Sequence, residues 1–338
     1  MPSNENTTGL ILYDVLLPGK ESEEEELDSA AEVRTEVAAV RKTLRELDYK
    51  VRTLGLRRIT AKIVNQIEEI NPDFIFNLCE ALYDSNRAEM YLAGLFELLR
   101  IPYTGSPPFT LGLAMNKRRT KEVLRSAGIP VPKSIVVGLG EETNLKNLEP
   151  PLIIKPLHED GSAGITSDSV PNKEKDLKDQ INYIHKEFNQ PALVEEFIEG
   201  RELHVSVVGD KNPRVLAVSE IDFSRFPKNE PRILSYEAKW HTKSELYKKS
   251  PVICPADIEE NLKKRLYRVA IAAFEELGCR DYTRIDTRVD KNNRIFVLEV
   301  NANPNIAPED GFEDAAKVAG MTYVDFIGEI VKNTLKRK

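Results

Sequence analysis

Cysteine is scarce and poorly spaced for chemistry. The chain has three, Cys79, Cys254 and Cys279, with no CxxC pair, so neither a zinc cage nor a disulfide framework is supported and a reducing interior fits better. Its four histidines, His158, His185, His204 and His241, show no HxxxH or HExxH spacing, and none is assigned to a metal or to base catalysis. No stretch approaches the roughly 20 apolar residues of a membrane span, and no basic region followed by an apolar run marks a leader. The expected location is the cytoplasm. Positive charge is not in excess either: the formal net charge is -7, which argues against a sequence-independent nucleic-acid binder. No internal repeat is present, and the only biased tract is the glutamate run at Glu23 to Glu26. With 338 residues, 41% hydrophobic and 30% charged, the chain can bury the cores of two or three globular domains.

The polar residues that matter are concentrated in "TRIDTRVDKNNRIFVLEVNANP", residues 283–304. "RIDTRV" and "RIFVLEV" are rich in Ile, Val and Phe and read as strands, and "DKNN" is turn material in which Asn292 and Asn293 tolerate positive φ. A two-residue loop at Asn292 and Asn293 sets Asp286 opposite Glu299 and Arg284 opposite Asn301. Side chains at i and i+2 share a face, so these four project from one side of the hairpin, with Ile285, Phe296, Leu298 and Val300 on the other. Two carboxylates and an amide oxygen suit Mg2+ or Mn2+, hard cations that take oxygen ligands. Without a cation, facing carboxylates repel. The competing reading is a solvated hairpin face with an incidental Arg-Asp pair. "LEVNANP" favours a site, because it puts the ligands at a strand end before a Pro-containing loop.

Upstream, "TGLILYDVLL" reads as a strand, and the glutamate run as a solvated loop or the start of a helix. Val33, Val37, Val40, Leu44 and Leu47 recur at helical spacing, and "NPDFIFNL" follows as a buried strand, so the chain opens as an α/β layer. "AEMYLAGLFELLRIPYTG" and "MNKRRTKEVLRSAGIPVP" read as helices, the second stopped by Gly128 and Pro130. A boundary is expected between them near Ala114. Strand, glycine-bearing loop, polar helix and strand follow from "PLIIKP" to "PALVEEFIEG", and the last part begins near Glu202 with "HVSVVG". The expected division is 1–113, 114–201 and 202–338. A long helix is predicted from Asp257 to Leu277, capped by Asp257 and closed by Gly278.

"IIKPLHEDGSAGI" ends a strand with Lys155 and runs into a loop with Gly161 and Gly164. Small residues let backbone N–H groups approach phosphate oxygens, and a lysine on the strand end supplies a point charge. Lys117 in "MNKRRTK" is a second phosphate candidate, while Arg118, Arg119 and Lys121 read as a solvated basic face. In "LVEEFIEGRE", Glu195 and neighbouring backbone groups are placed to meet a base amino group, and Glu202 to accept from ribose hydroxyls.

In order, "PYTGS", "MNKRRTK", "LIIKP", "DGSAGI", "LVEEFIEGRE", "YEAKW", "TRID" and "LEVNANP" resemble the ATP-grasp superfamily and, within it, the D-alanine:D-alanine ligase branch. The resemblance runs from about Pro102 to Lys338. It implies an α/β, three-domain ATP-grasp fold with a Rossmann-like N-terminal (pre-ATP-grasp) domain, and ATP held between the central and C-terminal domains. It implies Lys117, Lys155 and the Gly161, Ser162 and Gly164 loop as phosphate contacts. Glu195, Glu196, Ile198 and Glu202 are implied around the nucleoside, and Lys239 as a lysine reaching the phosphates. Two Mg2+ or Mn2+ ions would be held by Asp286, Glu299 and Asn301, with Arg284 steadying the tetrahedral intermediate. The implied reaction is ATP-dependent joining of a carboxylate to an amine through an acyl phosphate, with small-molecule substrates of amino-acid type and a homodimeric assembly.

The departures bear on substrate. The family's N-terminal His-Gly-Xaa-Xaa-Gly-Glu-Asp-Gly run is absent and "FNLCEALYDSNRAE" stands in its place, with Glu80 and Arg87 as its polar groups. Gly161 and Trp240 replace a serine and a tyrosine that orient the first substrate. Asp310 stands where a serine meets the second substrate's carboxylate, and an aspartate repels a carboxylate. Asn305 replaces an oxyanion-loop glycine. For the family's N-terminal catalytic glutamate the candidates are Glu32 and Glu36. Two other classes compete: a nucleotide-binding protein without ligase activity, and a metal-dependent hydrolase that needs no ATP.

Overall fold

The computed structural model describes residues 4–15, 23–83, 85–141, 145–171, 173–308 and 310–337. It builds three sheets in chain order. The first part alternates strand and helix, with β1 (Thr8–Asp14), α1 (Glu23–Glu46), β2 (Lys50–Leu56), α2 (Ala61–Ile70) and β3 (Phe74–Leu78). Such alternation gives parallel pairing, and the sheet has the order β2-β1-β3, parallel throughout. Leu10, Ile11 and Leu12 of β1 are fully buried and β3 is buried along its length, as befits a sheet covered on both faces. The glutamate run starts α1, whose predicted stripe buries Val40 and Leu44. Helices α3 (Glu89–Leu99) and α4 (Pro108–Ala114) complete this part.

The middle part holds α5 (Lys117–Ser126), β4 (Ser134–Val137), β5 (Leu152–Pro156), α6 (Glu174–Phe188) and β6 (Ala192–Glu196), with sheet order β4-β6-β5, antiparallel. Its sheet and α6 close over a core of their own, including Ile154, Ile181, Ile184 and Val194. The first and last parts instead share one core, in which Leu12, Ile75 and Phe96 join Ala270, Ile285 and Val300. The middle part joins that core through Leu124 of α5 with Ile129 and Val131, while its sheet and α6 form a separate layer across the cleft.

The last part contains β7 (Gly200–Gly209), β8 (Arg214–Ile221), α7 (Tyr236–Trp240), α8 (Glu245–Lys248), β9 (Val252–Ile253), α9 (Glu260–Glu276), β10 (Asp281–Asp290), β11 (Ile295–Asn301), α10 (Gly311–Val318) and α11 (Tyr323–Leu335). Its antiparallel sheet runs β11-β10-β7-β8-β9. Glu259, not Asp257, occupies the N-cap of α9, without a side-chain cap hydrogen bond, and Gly278 at φ +65 follows the helix end as predicted. Asp281, fully buried at the start of β10, ties the parts together. Its carboxylate accepts from Arg337 at 2.8 and 2.7 Å and from the Gly105 N–H at 2.8 Å.

The β10-β11 register sets Asp286 against Glu299 and Arg284 against Asn301, but by another route than a two-residue loop. Asp290 and Arg294 close a three-residue turn, with Asn293 alone at positive φ (+58), and a bulge between Asp286 and Thr287 restores the offset. Leu298 is the surplus residue. Ile295 and Val297 consequently join Val300 in the core, whereas Leu298 turns to the site side with Glu299. Phe296 and Leu298 were expected on the core side; the bulge puts two consecutive residues on one face and shifts the alternation between them and the turn. Among the described residues no helix is long and apolar enough to cross a membrane.

Candidate active site

A cleft with about 850 Å³ of empty space, counted to its open mouth, lies between the middle and last sheets. Lys117, Lys155, Gly161, Ser162, Glu195, Glu196, Ile198, Glu202, Lys239, Arg284, Asp286 and Glu299 all line it. Most of its charged groups are paired. Glu195, on β6, is 1% exposed and sits between two lysines, Lys155 at 2.5 Å and Lys121 at 2.9 Å. Burial alone would raise its pKa, but the two ammonium groups outweigh burial and hold it at about 2. Glu202, on β7, faces Arg288 of β10 in register and is held at 2.7 Å, with His204 at 3.5 Å. Burial alone would raise its pKa, but the Arg288 guanidinium outweighs burial and brings Glu202 to about 2 as well.

The hairpin face carries two more charge pairs. Both Asp286 oxygens accept from Arg284, at 2.7 and 2.9 Å, a two-pronged contact that also outweighs burial and lowers Asp286 to about 2. Lys117, at the first turn of α5, crosses to Glu299 at 2.7 Å and also donates to the Glu159 carbonyl. Burial disfavours its charge, yet Glu299 reverses the shift and raises its pKa. Lys239, on α7, has no such partner among the described residues. Burial first and Arg284 second lower its pKa, and its Nζ lies 4.7 Å over the Trp240 ring. No group of three or more His, Cys, Asp or Glu is clustered to hold a metal among the described residues. Asp286 and Glu299 supply two carboxylates, and the Asn301 amide completes an oxygen set of the kind that hard divalent cations accept when phosphate and water fill the remaining positions.

A second cavity, about 490 Å³ to its mouth, adjoins the first and shares Asp160, Gly161, Arg284, Asp286 and Glu299 with it. Glu80, Glu89, Asn301 and Asn303 line the rest of its polar wall. The remaining candidates stand elsewhere. Arg87 is exposed on the short turn Asn86–Ala88 and lines neither cavity. Trp240 donates from Nε1 to the Gly161 carbonyl at 2.8 Å and so braces the glycine loop from behind. Asn305 accepts from the Ala307 N–H at 2.7 Å, and Asp310 caps α10 through the Gly311 N–H; neither is in the lining of these two cavities, although Asp310 raises the pKa of Arg284. Glu36 is buried and accepts from the Ile306 N–H at 2.9 Å. The Glu32 side chain lies outside the described residues.

Four participants were not read as such. Lys121 is no solvated lysine: it is 2% exposed and also donates to the Leu298 carbonyl at 2.9 Å. Its spacing of four from Lys117 on one helix was the available signal. Arg288 continues the i, i+2 face of Arg284 and Asp286. Asp160 precedes the glycine pair and accepts from Asn86. Glu89, at the start of α3, is 6% exposed, and nothing in the sequence separates it from a solvated helix-start glutamate.

Gly164 does not line the cleft. It is at φ +72, and a Cβ there would come within 2.6 Å of Pro156 Cγ and 2.9 Å of the Phe188 ring. At Gly161, φ +56, the nearest atom would be Trp240 Cζ2 at 3.6 Å. Gly161→Ala should therefore cost only the left-handed backbone, about 1 kcal/mol. Gly164→Ala should add the clash, reach about 2–3 kcal/mol and weaken nucleotide binding. Denaturant midpoints of the two variants check the order.

An antiparallel sheet on each side of a lysine-bearing cleft, closed at one end by an acidic hairpin, is the arrangement of ATP-grasp ligases. Solved structures agree: a D-alanine–D-alanine ligase of Bacillus anthracis complexed with ATP superposes with a TM-score of 0.73 at 21% identity, covering 98% of each chain. A D-Ala:D-Ser ligase of Enterococcus faecalis gives 0.75 at 23% identity, covering 97% of this chain and 99% of that one. The family follows from sequence. Residues 123–332 match the pattern described as "D-ala D-ala ligase C-terminus". A D-alanine–D-alanine ligase of Carboxydothermus hydrogenoformans is 32% identical over 87% of this chain and 90% of its own length, and an uncharacterized protein of Sinorhizobium fredii is 33% identical over 76% and 73%. The chain belongs to the D-alanine–D-alanine ligase family.

Proposed function

We propose that the protein is an ATP-dependent carboxylate–amine ligase that works through an acyl phosphate, with a substrate pair other than two D-alanines. One observation carries this reading: Arg284, Asp286 and Glu299 line both cavities, so a nucleotide's terminal phosphate and a second molecule would meet on one hairpin face. Lys117, Lys155 and Lys239 face the phosphates, and Gly161 and Ser162 approach them with backbone. Glu195, Glu196 and Ile198 border the base, and Glu202 the ribose. Asp286, Glu299 and Asn301 fit two Mg2+ (or Mn2+) ions, which when bound neutralise phosphate charge and polarise the transferring group.

A carboxylate oxygen of the donor attacks the γ-phosphorus, the bond to the bridging oxygen breaks, and ADP leaves. The uncharged amine nitrogen adds to the acyl carbon. Arg284 donates to the oxygen that gains charge. Collapse expels phosphate, and the surplus proton on nitrogen passes to solvent. Residues 1–113, 114–201 and 202–338 are proposed as three domains, each holding one sheet apart from the first two residues of β7. A cytoplasmic homodimer is the accompanying proposal, tested by light scattering.

A panel of D- and L-amino acids, β-amino acids and amines, scored by ADP release and product mass, tests the reaction. The expected result is ADP formation only with ATP, Mg2+ and both substrates, and a product lighter by one water than their sum. Nucleotide binding without product from any pair would mark a binding protein, and turnover without ATP a hydrolase.

A further inference from the structure

The ligase reaction gives no part to Arg288, although this residue lines the cleft and is only 2% exposed. Its guanidinium, projecting from β10, joins three segments at one end of the cleft. Nε and Nη2 donate to Glu202 Oε2 on β7, at 3.2 and 2.7 Å. Nη1 donates to the Ile198 carbonyl at 3.1 Å, just past the end of β6. Nη2 also donates to the Arg232 carbonyl, in the segment 222–235 that leads from β8 to α7. The Phe197 ring lies 4.8 Å from the guanidinium carbon and the Phe223 ring 5.9 Å, so two of these segments each present an aromatic ring to the cation. Segment 222–235 brings Ile233 and Leu234 to the cleft wall and packs Phe223 and Phe226 against Ala238 and Leu246. Its tie to the glycine loop runs from Ser162 Oγ to the Leu234 carbonyl at 2.7 Å. Arg288 thus fastens the segment to the last sheet, and Ser162 fastens it to the middle part.

A buried ion pair adds little stability over apolar side chains of the same volume, so its use here lies in geometry. Arg288 occupies Glu202 Oε2 twice. Oε1 has only His204 Nε2, at 3.5 Å, among the described residues, which leaves one carboxylate oxygen to accept from a ligand's hydroxyls. The guanidinium fork is planar and rigid, and it therefore fixes that carboxylate, the Ile198 carbonyl and the covering segment relative to one another. Resting on the nucleotide reading of this cleft, we infer that Arg288 is the positioning residue of the sugar subsite: it holds Glu202 so that its second oxygen meets the ribose hydroxyls and, through the Arg232 carbonyl, pins segment 222–235 across them. Recognition of the sugar and cover over the nucleotide are one device. A nucleotide without its 2′-hydroxyl leaves the Glu202 oxygen unmatched, and a chain without the fork loses both the match and the cover.

The test is calorimetric titration of the full chain with ATP and with 2′-deoxy-ATP, each with Mg2+ and without amino-acid substrates, together with trypsin cleavage after Arg225, Lys228 and Arg232 in the covering segment. The wild type should bind ATP about tenfold or more tighter than the deoxy form, and ATP should slow cleavage. Arg288→Lys keeps a counter-charge for Glu202 but not the fork. It should bring the affinity ratio towards one and leave the segment open to trypsin with ATP bound. Glu202→Gln should lose the ratio yet keep the protection, because the Arg232 carbonyl is still held. If the lysine variant does not fold, Arg288→Met combined with Glu202→Gln removes both charges together and should show both losses. Equal affinities in the wild type, or a ratio and cleavage pattern unmoved in Arg288→Lys, overturn the inference and leave ATP binding intact. A lowered melting temperature with an unchanged ratio makes Arg288 a merely structural residue and overturns it too. No heat from ATP with Mg2+ in the wild type removes the nucleotide reading itself, and this inference with it.

Discussion

Arg284→Ala should lower kcat by about 100- to 1,000-fold, on the order of 3 kcal/mol in the barrier, without loss of nucleotide affinity. The guanidinium lines both cavities, and its charge is raised in stability by Asp286 despite burial. Its donors are thus fixed before reaction, which is what makes such a group effective against charge that develops in the transition state. It also occupies both oxygens of Asp286. Removing it frees that carboxylate, so magnesium-nucleotide binding should be kept or tightened while product formation collapses. Arg284→Lys keeps the charge but not the fork and should recover only part of the rate. Initial rates of ADP release, paired with calorimetry using a non-hydrolysable ATP analogue and Mg2+, separate the two effects. Full turnover by Arg284→Ala would remove this residue from the chemistry.

Glu195→Ala should destabilise the fold by about 3–5 kcal/mol, the range for breaking a buried ion pair from one side. Lys121 is 2% exposed and already has its pKa lowered by burial against the pull of Glu195. Without the glutamate it would be left beside Lys155 with only Glu299 to offset its charge. The direction with pH follows from Glu195 itself, lowered from the ordinary 4.5 to about 2 in the fold. A depressed acid contributes stability that is complete above its unfolded value and lost as pH falls through the folded one. The wild type should therefore lose its advantage over the variant between about pH 4.5 and 2. Glu202 and Asp286 shift the same way, so only the difference between the two proteins isolates Glu195. Urea midpoints at pH 7 and at pH 3 measure it, and coincident curves at pH 7 would exclude a structural role for the triad.

The hairpin was legible because alternation of apolar and polar residues is a local signal, and the four side chains on its face fall in the pairs that alternation gives. The turn was not. A two-residue loop and a regular ladder were both wrong by one residue, and the errors cancelled at Asp286 and Glu299. The layers and the order of elements followed from runs such as "FIFNL", whose burial on both faces needs no long-range information. Lys121 and Glu89 were illegible for one reason: a charged residue on a helix looks solvated until the partner that buries it is known, and Glu195 lies 74 positions from the one while Asn303 lies 214 from the other. Arg87 is the opposite case, a polar residue in a promising segment that the turn at Asn86–Ala88 leaves exposed and outside the lining of both cavities.

The surplus residue in β11 has a consequence for length variation. A chain lacking Leu298 would run from Val297 straight to Glu299 as an unbroken ladder, so relatives one residue shorter at this point would keep their acids facing Asp286 and lose the carbonyl that Lys121 uses and one apolar side chain of the cleft wall. An insertion between Glu299 and Asn301 has no comparable slack. It would rotate Asn301 in among Ile285 and Val300, and gaps in this strand should therefore be tolerated on one side of Glu299 and not on the other.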